Sequence, residues 1–354
     1  MAEDSGIEWT THTFNHVRGC TKVSPGCANC YAETMSGRNP GTLGVWGPNG
    51  TRVVAAESYW RQPLKWNRQA KADRENCERA AMMSRSEYDA LLDYERPRVF
   101  CASLADVFED WRGLMCDSNG DTLFVGEGGK WTANADPETA KPVTMDNVRM
   151  RLFALIADTP ELDWLLLTKR PEFMRDWLAD FAEGWNSAPA VPPGLGITRR
   201  PVDWPFPNVW LGVSVEDQQR ADERIPLLLQ TPAAVRFISA EPLLGPIRLF
   251  AYDRDMNPPV MTVDDGRLSW VIVGGESGPG ARPMAVQWAS GIVSQCRVAS
   301  VPVFVKQLGS SPLTNLSVDD GHNAYWPVTD RKGGDIEEFP DDLKVREFPV
   351  VGVR

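Results

Sequence analysis

Short apolar segments, separated by amphipathic ones, recur along most of the chain after residue 98. Six of them are rich in β-branched and aromatic residues and do not alternate with polar residues, which is typical of strands buried on both faces of a parallel sheet. These segments are Val99–Ser103, Trp164–Thr168, Val209–Val215, Val235–Ser239, Trp270–Val273 and Val301–Val305. With Ile7–Thr10 as a first strand, the pattern predicts an α/β fold, a full or partial β/α (TIM-like) barrel of six to seven parallel strands.

Between most of these strands, apolar residues recur every three or four positions, as they do on one face of a helix. The predicted crossover helices are Met145–Ala157, capped by Thr144, and Pro171–Phe181, Gln218–Leu229 and Ala285–Ala299. Two helices, Trp66–Ala81 and Arg85–Tyr94, are predicted before the second strand. Stretches rich in Gly, Pro or Asp are predicted to be long loops: residues 33–64, 112–143, 183–207 and 249–268.

The composition favours a protein with a sizeable core, because 42% of the residues are apolar. No run approaches the ~18 apolar residues of a membrane-spanning helix, so we expect a soluble, cytoplasmic monomer with no membrane partner. The barrel is expected to occupy residues 1–309. Residues 310–354 are expected to form an extension packed on it, since Trp326, Phe339 and Phe348 supply apolar surface to bury.

The net charge of −11 argues against a protein that binds nucleic acid by bulk electrostatics. Any contact with DNA is therefore expected to be local. Two basic patches are candidates, Arg61 to Arg74, which includes Lys65, Arg68 and Lys71, and Arg199-Arg200. A solvated helix face and an ordinary loop explain these two patches equally well.

Three cysteines, Cys20, Cys27 and Cys30, lie within eleven residues, and Tyr31 follows the last. Thiolates this close together indicate a metal-binding loop. Three ligands fit a 4Fe-4S cluster with one open iron, whereas a structural zinc site needs a fourth ligand, for which His12 and His16 are the candidates. Disulfides are disfavoured because seven cysteines is an odd number and no segment resembles a secretory signal peptide. The remaining cysteines are scattered and suit a reducing cytoplasm: Cys77, Cys101, Cys116 and Cys296.

The chain resembles a phage-encoded group related to the radical S-adenosylmethionine (radical-SAM) enzymes. The resemblance extends from Trp9 to Pro349 and is carried by the cysteine loop, by Gly274–Ser277 and by Val303–Gln307. It implies a radical-SAM-like barrel in which Cys20, Cys27 and Cys30 ligate one 4Fe-4S cluster, with Tyr31 packed beside it. If the chain is phage-encoded, the compartment is the host cytoplasm.

Polar or charged groups stand at the end of nearly every predicted strand. The chemistry of β/α barrels is located at these carboxyl ends, so the pattern predicts a lined cavity. The residues are Ser103 and Asp106, Lys169 and Arg170, Ser214 and Glu216, Ser239 and Glu241, Gly274, Gly275, Glu276 and Ser277, and Lys306 and Gln307.

The resemblance implies that this cavity binds S-adenosylmethionine. The expected cofactor-binding residues are Tyr31, Ser103, Ser214, Glu216, Glu241, Gly274, Gly275, Glu276 and Ser277. Both Gly274–Glu276 and Ser239–Leu243 resemble the Gly-Gly-Glu motif of the family, so either Glu276 or Glu241 is a candidate for the methionyl amine. Glu276 is favoured, because its two preceding glycines let the backbone approach the ligand. A tight turn after a strand is the structural alternative for the glycine pair.

The resemblance also implies a substrate, an amino-acid-modified (glycyl) thymine in phage DNA that is isomerised by a radical step. Lys169, Arg170 and Lys306 are the candidate catalytic cations for the substrate carboxylate. Alternatively, Lys169 and Arg170 begin a helix and pair with Glu172 or Asp176. An electron donor such as flavodoxin or ferredoxin is expected as a partner. The competing functions are a non-catalytic zinc or iron-sulfur protein that binds nucleic acid, and a cluster-bearing nuclease or repair enzyme.

Overall fold

The computed structural model describes residues 5–83, 94–136, 138–187, 203–249, 252–253, 260–261, 268–315 and 324–350. The predicted helix Arg85–Tyr94, apart from its last residue, and the patch Arg199-Arg200 lie outside the described residues.

Seven parallel strands form the central sheet. In chain order they are β1 (His12–Thr13), β2 (Arg98–Cys101), β3 (Asp163–Thr168), β4 (Val209–Ser214), β5 (Val235–Ala240), β6 (Trp270–Gly274) and β7 (Val303–Gln307). Their order across the sheet is their order along the chain, with β1 and β7 at the edges. Sequential parallel strands joined by helices are the arrangement of a partial β/α barrel. The α/β class and the parallel sheet are therefore confirmed.

In the described part of the chain, six longer helices accompany the sheet. They are α1 (Tyr31–Arg38), α2 (Gln62–Met83), α3 (Met145–Asp158), α4 (Pro171–Ser187), α5 (Gln218–Gln230) and α6 (Val286–Ala299). Helix α3 begins with the predicted cap, because the Thr144 hydroxyl accepts a hydrogen bond from the Asn147 amide and the Asn147 side chain accepts one from the Thr144 amide. Three further crossover helices, α4 to α6, also begin within one residue of the predicted positions.

The first strand was predicted at the wrong residues. Residues 7–10 form a turn in which the Thr10 amide donates to the Ile7 carbonyl at 3.0 Å, and the strand begins at His12. Trp9 is nevertheless buried and packs on the Phe100 ring, with centroids 4.9 Å apart. An apolar residue in a turn can thus mimic a short strand.

The loop predicted at residues 33–64 is also wrong, because this segment contains most of α1, two short helices and a strand. The short helices are Pro40–Leu43 and Glu57–Trp60. The strand Arg52–Val54 is completely buried and pairs with Val17–Arg18 and Met115–Cys116. Three residues are too few to produce a readable periodicity between glycines and prolines.

The remaining elements are short. Strands Phe124–Val125, Trp131–Thr132 and Lys141–Pro142 form one small sheet, Tyr252–Asp253 and Val260–Met261 a second, and Met284–Ala285, Pro312–Asn315 and Ala324–Tyr325 a third. Single 3-10 turns occur at Pro25–Cys27, Glu127–Gly129, Ile336–Glu338 and Asp341–Leu343. Among the described helices, none combines the length and the apolar composition needed to cross a membrane.

The chain divides into two compact units, and strands β3 and β4 contribute residues to both. The first unit comprises residues 1–21, 32–166 and 177–210, and the second comprises residues 22–31, 167–176 and 211–354. An aromatic cluster around Phe153 and Phe181 fills part of the first unit. In the second unit, Phe348 near the C-terminus packs on Trp270 and Phe304, with ring centroids 5.4 and 5.3 Å apart.

Candidate functional site

Cys20, the first residue of the cysteine motif, belongs to the first unit, and only Gly19 separates it from the strand Val17–Arg18. Gly19 has a φ of 107°, and a Cβ atom on it would lie 2.4 Å from the Thr51 carbonyl oxygen, so the position requires glycine. The Gly19 amide donates to the Leu104 carbonyl and the Gly47 amide donates to the Cys20 carbonyl, both at 3.0 Å. Backbone hydrogen bonds therefore fix the position of Cys20.

A buried ion pair lies beside Cys20 in the same unit. The Arg52 guanidinium donates to both carboxylate oxygens of Glu109, at 2.5 and 2.8 Å, and both side chains are almost fully buried. A further hydrogen bond, 2.8 Å long, joins Arg52 to the hydroxyl of Thr21, the residue after Cys20. The guanidinium also lies 4.0 Å from the centre of the Trp111 ring. This bidentate, desolvated pair adds a side-chain anchor to the backbone ones.

Cys27 and Cys30 belong to the second unit, in the cysteine loop, residues 22–31. Pro25–Cys27 forms a 3-10 turn in which the Cys27 amide donates to the Ser24 carbonyl at 2.9 Å. Pro25 at the start of the turn fits its fixed φ angle. The loop therefore has a defined local conformation around Cys27.

Glu216, two residues after β4, anchors the cysteine loop at the 3-10 turn. One carboxylate oxygen accepts a hydrogen bond from the Gly26 amide at 3.1 Å, and the other pairs with Arg224 at 3.0 Å. Glu216 is completely buried. Burial raises the pKa of this carboxyl, but Arg224, Ser24, Lys169 and the Gly26 amide outweigh that effect and leave the pKa below its usual range. Glu216 is therefore ionised at neutral pH.

Glu276, two residues after β6, anchors the other end of the loop. Its Oε2 atom accepts hydrogen bonds from the Asn29 amide group, the Arg282 backbone amide and Arg282 Nε, each at 2.9 Å, and its Oε1 atom accepts one from the Arg282 guanidinium at 2.6 Å. Burial raises the pKa of Glu276, but the hydrogen bonds from Arg282 and Asn29 lower it further than burial raises it. Arg282 also donates to the Pro25 carbonyl at 2.9 Å.

Glu241 and Lys306 form a third ion pair at the strand ends of the second unit. Both side chains retain partial exposure, 19% and 17%. A Cβ atom on Gly274 would lie 3.2 Å from the Glu241 carboxyl carbon, so the glycine lets the two strand ends approach. Gly275 is packed against the Leu308 carbonyl, which a Cβ atom would approach to 2.2 Å. This packing explains the glycine pair without a ligand.

The other predicted site residues are distributed over both units. In the second unit, Lys169 donates to the Ser214 hydroxyl at 3.1 Å, and the amide of the buried Arg170 donates to the Thr168 hydroxyl at 2.9 Å. Ser277, in the same unit, is half-buried. In the first unit, Asn15 Oδ1 accepts a hydrogen bond from the Ser103 amide at 2.8 Å. Tyr31, the last residue of the cysteine loop in the second unit, is 55% exposed.

All three cysteines of the motif have intermediate exposure, and none of them is in a disulfide. Among the described residues, no group of three or more His, Cys, Asp or Glu side chains is gathered closely enough to hold a metal ion. The donor chemistry nevertheless fits an iron-sulfur cluster, which takes soft thiolate ligands. A cluster would be held by Cys20, Cys27 and Cys30, whose sulfurs would have to converge on it.

The two histidines proposed as fourth zinc ligands are engaged elsewhere in the first unit. His12 Nδ1 lies 2.8 Å from the Thr11 hydroxyl, and its ring packs on Trp66. His16 is fully buried, with Nδ1 3.3 Å from the Cys101 sulfur. Burial, followed by the charges of Arg149 and Arg151, lowers the pKa of His16 to about 3. These contacts give no support to a zinc site completed by His12 or His16.

Sequence reasoning did not identify the partners of the strand-end acids. Arg224 lies on α5, eight residues after Glu216, and Arg282 follows Glu276 by six residues. Asn29 stands directly before Cys30, and Arg52 and Glu109 are 57 residues apart. The one signal available was a cation on the segment that follows each acidic strand end. It is weak, because solvated Lys and Arg are common there.

One family model, described as "Protein of unknown function (DUF5131)", matches residues 4–112 and 133–331 of the chain. No curated protein and no solved structure matches it.

Proposed function

We propose that this chain, which belongs to the DUF5131 family of proteins of unknown function, is a radical-SAM enzyme that carries a 4Fe-4S cluster on Cys20, Cys27 and Cys30. The observation that carries the proposal is the set of three cysteines within eleven residues, each of intermediate exposure and none in a disulfide, on segments anchored by buried ion pairs. When bound, the cluster and S-adenosylmethionine would supply a 5′-deoxyadenosyl radical that abstracts a hydrogen atom from the substrate.

The ion pair Glu241–Lys306 is the part of the site that we assign to S-adenosylmethionine. The methionyl end of this cofactor carries an ammonium and a carboxylate, which match Glu241 and Lys306 in charge. Both residues stand after or at the end of parallel strands, and both are partly exposed. Of the two glutamates that resemble the family motif, Glu241 is thus the better candidate, because Glu276 already accepts four hydrogen bonds.

For the substrate, we propose an amino-acid-modified thymine in DNA, isomerised within the added glycyl group. The carbon between an amine and a carboxylate gives up a hydrogen atom readily, because the resulting radical is stabilised by both groups. Lys169 and Arg170, at the end of β3, are the cations proposed to bind the substrate carboxylate. An electron donor such as flavodoxin or ferredoxin would reduce the cluster.

The DNA part of the proposal is supported by the exposed face at the start of α2. Lys65 and Arg68 are exposed and three residues apart, so they lie on one face of α2, and the exposed Arg61 directly precedes the helix. Lys71, on a neighbouring row, lies 3.7 Å from Glu75. In a chain with a net charge of −11, this face is a local basic patch. A few phosphate contacts suffice if the modified base is flipped out of the duplex.

The first experiment is a metal analysis of protein purified without oxygen. We expect about four iron and four sulfide per chain and no stoichiometric zinc. Reduced, reconstituted protein should convert S-adenosylmethionine to 5′-deoxyadenosine. One zinc per chain with no 5′-deoxyadenosine would overturn the radical-SAM proposal and favour the non-catalytic zinc protein.

The second experiment tests the substrate. The reconstituted enzyme, a reductant and S-adenosylmethionine are incubated with DNA that carries glycyl-thymine, and the digested nucleosides are compared by chromatography and mass spectrometry. We expect a product of unchanged mass and altered retention. Formation of 5′-deoxyadenosine with no changed nucleoside would exclude this substrate while retaining the enzyme class.

A third experiment tests the basic face of α2. The double variant Lys65→Glu/Arg68→Glu should bind duplex DNA at least tenfold more weakly than the parent at low salt. The control is Arg331→Glu/Lys332→Glu, two exposed cations of the second unit, which makes the same change in net charge. Equal losses in both variants would mean that only net charge matters and would reject a local surface.

A further inference from the structure

We infer that Glu216 and Glu276 are positioning residues that fix the cysteine loop, residues 22–31, and present Cys27 and Cys30 for metal binding. The identity of the metal in this inference rests on the proposed function, whereas the anchoring of the loop does not. Both glutamates follow parallel strands of the second unit, at the end of the sheet where ligands bind in β/α proteins.

Each glutamate contacts the residue directly before one cysteine. Glu216 accepts the hydrogen bond of the Gly26 amide, and Gly26 precedes Cys27. Glu276 accepts a hydrogen bond from the Asn29 side chain, and Asn29 precedes Cys30. The two carboxylates thus act at equivalent points of the motif, one residue before each thiol.

Each glutamate is in turn oriented by one arginine of the same unit. Arg224 Nη1 pairs with Glu216 at 3.0 Å and donates to the Ser214 carbonyl at 2.7 Å, which fixes the guanidinium against the end of β4. Arg282 binds Glu276 through its guanidinium and its backbone amide. Its remaining guanidinium nitrogen reaches the Pro25 carbonyl in the loop. The anchoring network therefore runs from arginine to carboxylate to loop at both cysteines.

Most of the acceptor capacity of Glu276 is used by Asn29 and Arg282. A carboxylate offers about four lone-pair sites, two on each oxygen, and three hydrogen bonds converge on Oε2 while one reaches Oε1. Gly26 lies close to Glu216, since a Cβ atom there would be 3.0 Å from the Glu216 carboxyl carbon. Both glutamates are thus committed to the loop, in contrast to the partly exposed Glu241.

The test compares Glu216→Gln and Glu276→Gln with Glu241→Gln as the matched control. All three replace a strand-end carboxylate by an amide of the same shape, and Glu241 pairs with Lys306 instead of the loop. In reduced, metal-free protein, iodoacetamide should alkylate Cys27 and Cys30 at least fivefold faster in the first two variants than in the parent. The peptide covering residues 22–31 should also exchange amide hydrogens at least tenfold faster. Glu241→Gln should leave both rates unchanged.

A milder variant serves as a control for a general loss of folding. Asn29 is exposed, so Asn29→Ala removes one anchor without leaving a buried charge. We expect faster alkylation at Cys30, with a smaller change at Cys27 and an unchanged thermal midpoint.

After anaerobic reconstitution, the iron content of Glu216→Gln and Glu276→Gln should fall at least threefold.

Parent-like loop exchange and parent-like iron content in both glutamine variants, together with loss of S-adenosylmethionine binding, would overturn the inference and make the two glutamates cofactor ligands. Failure of the proposed function has a different signature. In that case the parent binds no iron, while the alkylation and exchange rates of the metal-free variants still report on the anchoring of the loop.

Discussion

The two segments that carry the cysteine motif are fixed in different ways. Around Cys20, in the first unit, the anchors are mainly backbone hydrogen bonds, from Gly19 to Leu104 and from Gly47 to Cys20. The cysteine loop, residues 22–31 of the second unit, is fixed mainly by side chains, namely the carboxylates of Glu216 and Glu276 and the guanidinium of Arg282. Backbone anchors survive most substitutions, whereas a carboxylate anchor is lost with one. We therefore expect the loop to be the adjustable part of the site.

The largest expected effect is the loss of the metal itself. Changing any one of Cys20, Cys27 or Cys30 to alanine should reduce the iron and sulfide content of anaerobically purified protein to background, because two thiolates do not hold a 4Fe-4S cluster. Visible absorbance should disappear with the iron. The control is Cys77→Ala on helix α2, which should keep the full iron content.

Cys101, Cys116 and Cys296 are buried, and burial raises the pKa of all three thiols. A neutral buried thiol is a poor metal ligand. If one of them proved necessary for iron binding, the cluster would have a fourth protein ligand and the radical-SAM proposal would fail.

The next largest effect should come from the buried pair Arg52–Glu109 beside Cys20. Removing one partner leaves a desolvated charge, so Glu109→Gln should lower the free energy of unfolding by about 3–5 kcal/mol. Urea denaturation of the parent and the variant measures the difference. The matched change on the partly exposed pair, Glu241→Gln, should cost less, about 1 kcal/mol or below. A cost below about 1 kcal/mol for Glu109→Gln would show that the stability of the protein does not depend on this pair.

Glycine substitutions should sharpen the difference between backbone and side-chain anchoring. Gly19→Ala forces a Cβ atom to 2.4 Å from the Thr51 carbonyl at a φ of 107°, which should destabilise the protein by roughly 2–4 kcal/mol. Gly26→Ala meets the Glu216 side chain at 3.0 Å and should cost roughly 1 kcal/mol. Thermal and urea unfolding of both variants would test this order. A larger cost for Gly26→Ala would reverse the comparison.

The sequence allowed much of the fold to be predicted, because its signals are local. Continuous apolar runs located six strands within about two residues, and apolar periodicity located helices α3 to α6. The errors are also local. Trp9 is buried from a turn, and the strand Arg52–Val54 is too short for its pattern to be read.

The candidate site was harder to predict, because its contacts join distant residues. Sequence position placed Glu216 and Glu276 correctly after strands, and their assignment as cofactor ligands stays a prediction. The hydrogen bond between Asn29 and Glu276 spans 247 residues and leaves no trace in spacing. The same is true of Arg52 and Glu109. Pattern reasoning finds chemically suitable groups, but the partner that a group selects depends on the packed fold.

The pH dependence of stability also separates the two regions. In the first unit, burial and the charges of Arg149 and Arg151 lower the pKa of His16 from 6.5 to about 3. The unfolded chain therefore binds one more proton than the folded chain at pH values between these two, and stability falls as the pH is lowered through 6.5. In the second unit, the pKa values of Glu216 and Glu276 are lowered from 4.5, so the stability that they contribute is lost only as the pH falls below about 4.5.

Between pH 7.5 and pH 5, the stability contribution of His16 therefore changes, whereas those of Glu216 and Glu276 do not. His16 should account for a loss of about 2 kcal/mol in the free energy of unfolding over this interval. The measurement is urea denaturation at both pH values for the parent and for His16→Gln, which cannot take up the proton. The difference between the two pH values should shrink by about 2 kcal/mol in the variant. An unchanged pH dependence would mean that His16 can be protonated within the folded first unit, so that its burial among Phe14, Trp60 and Cys101 does not exclude the charge.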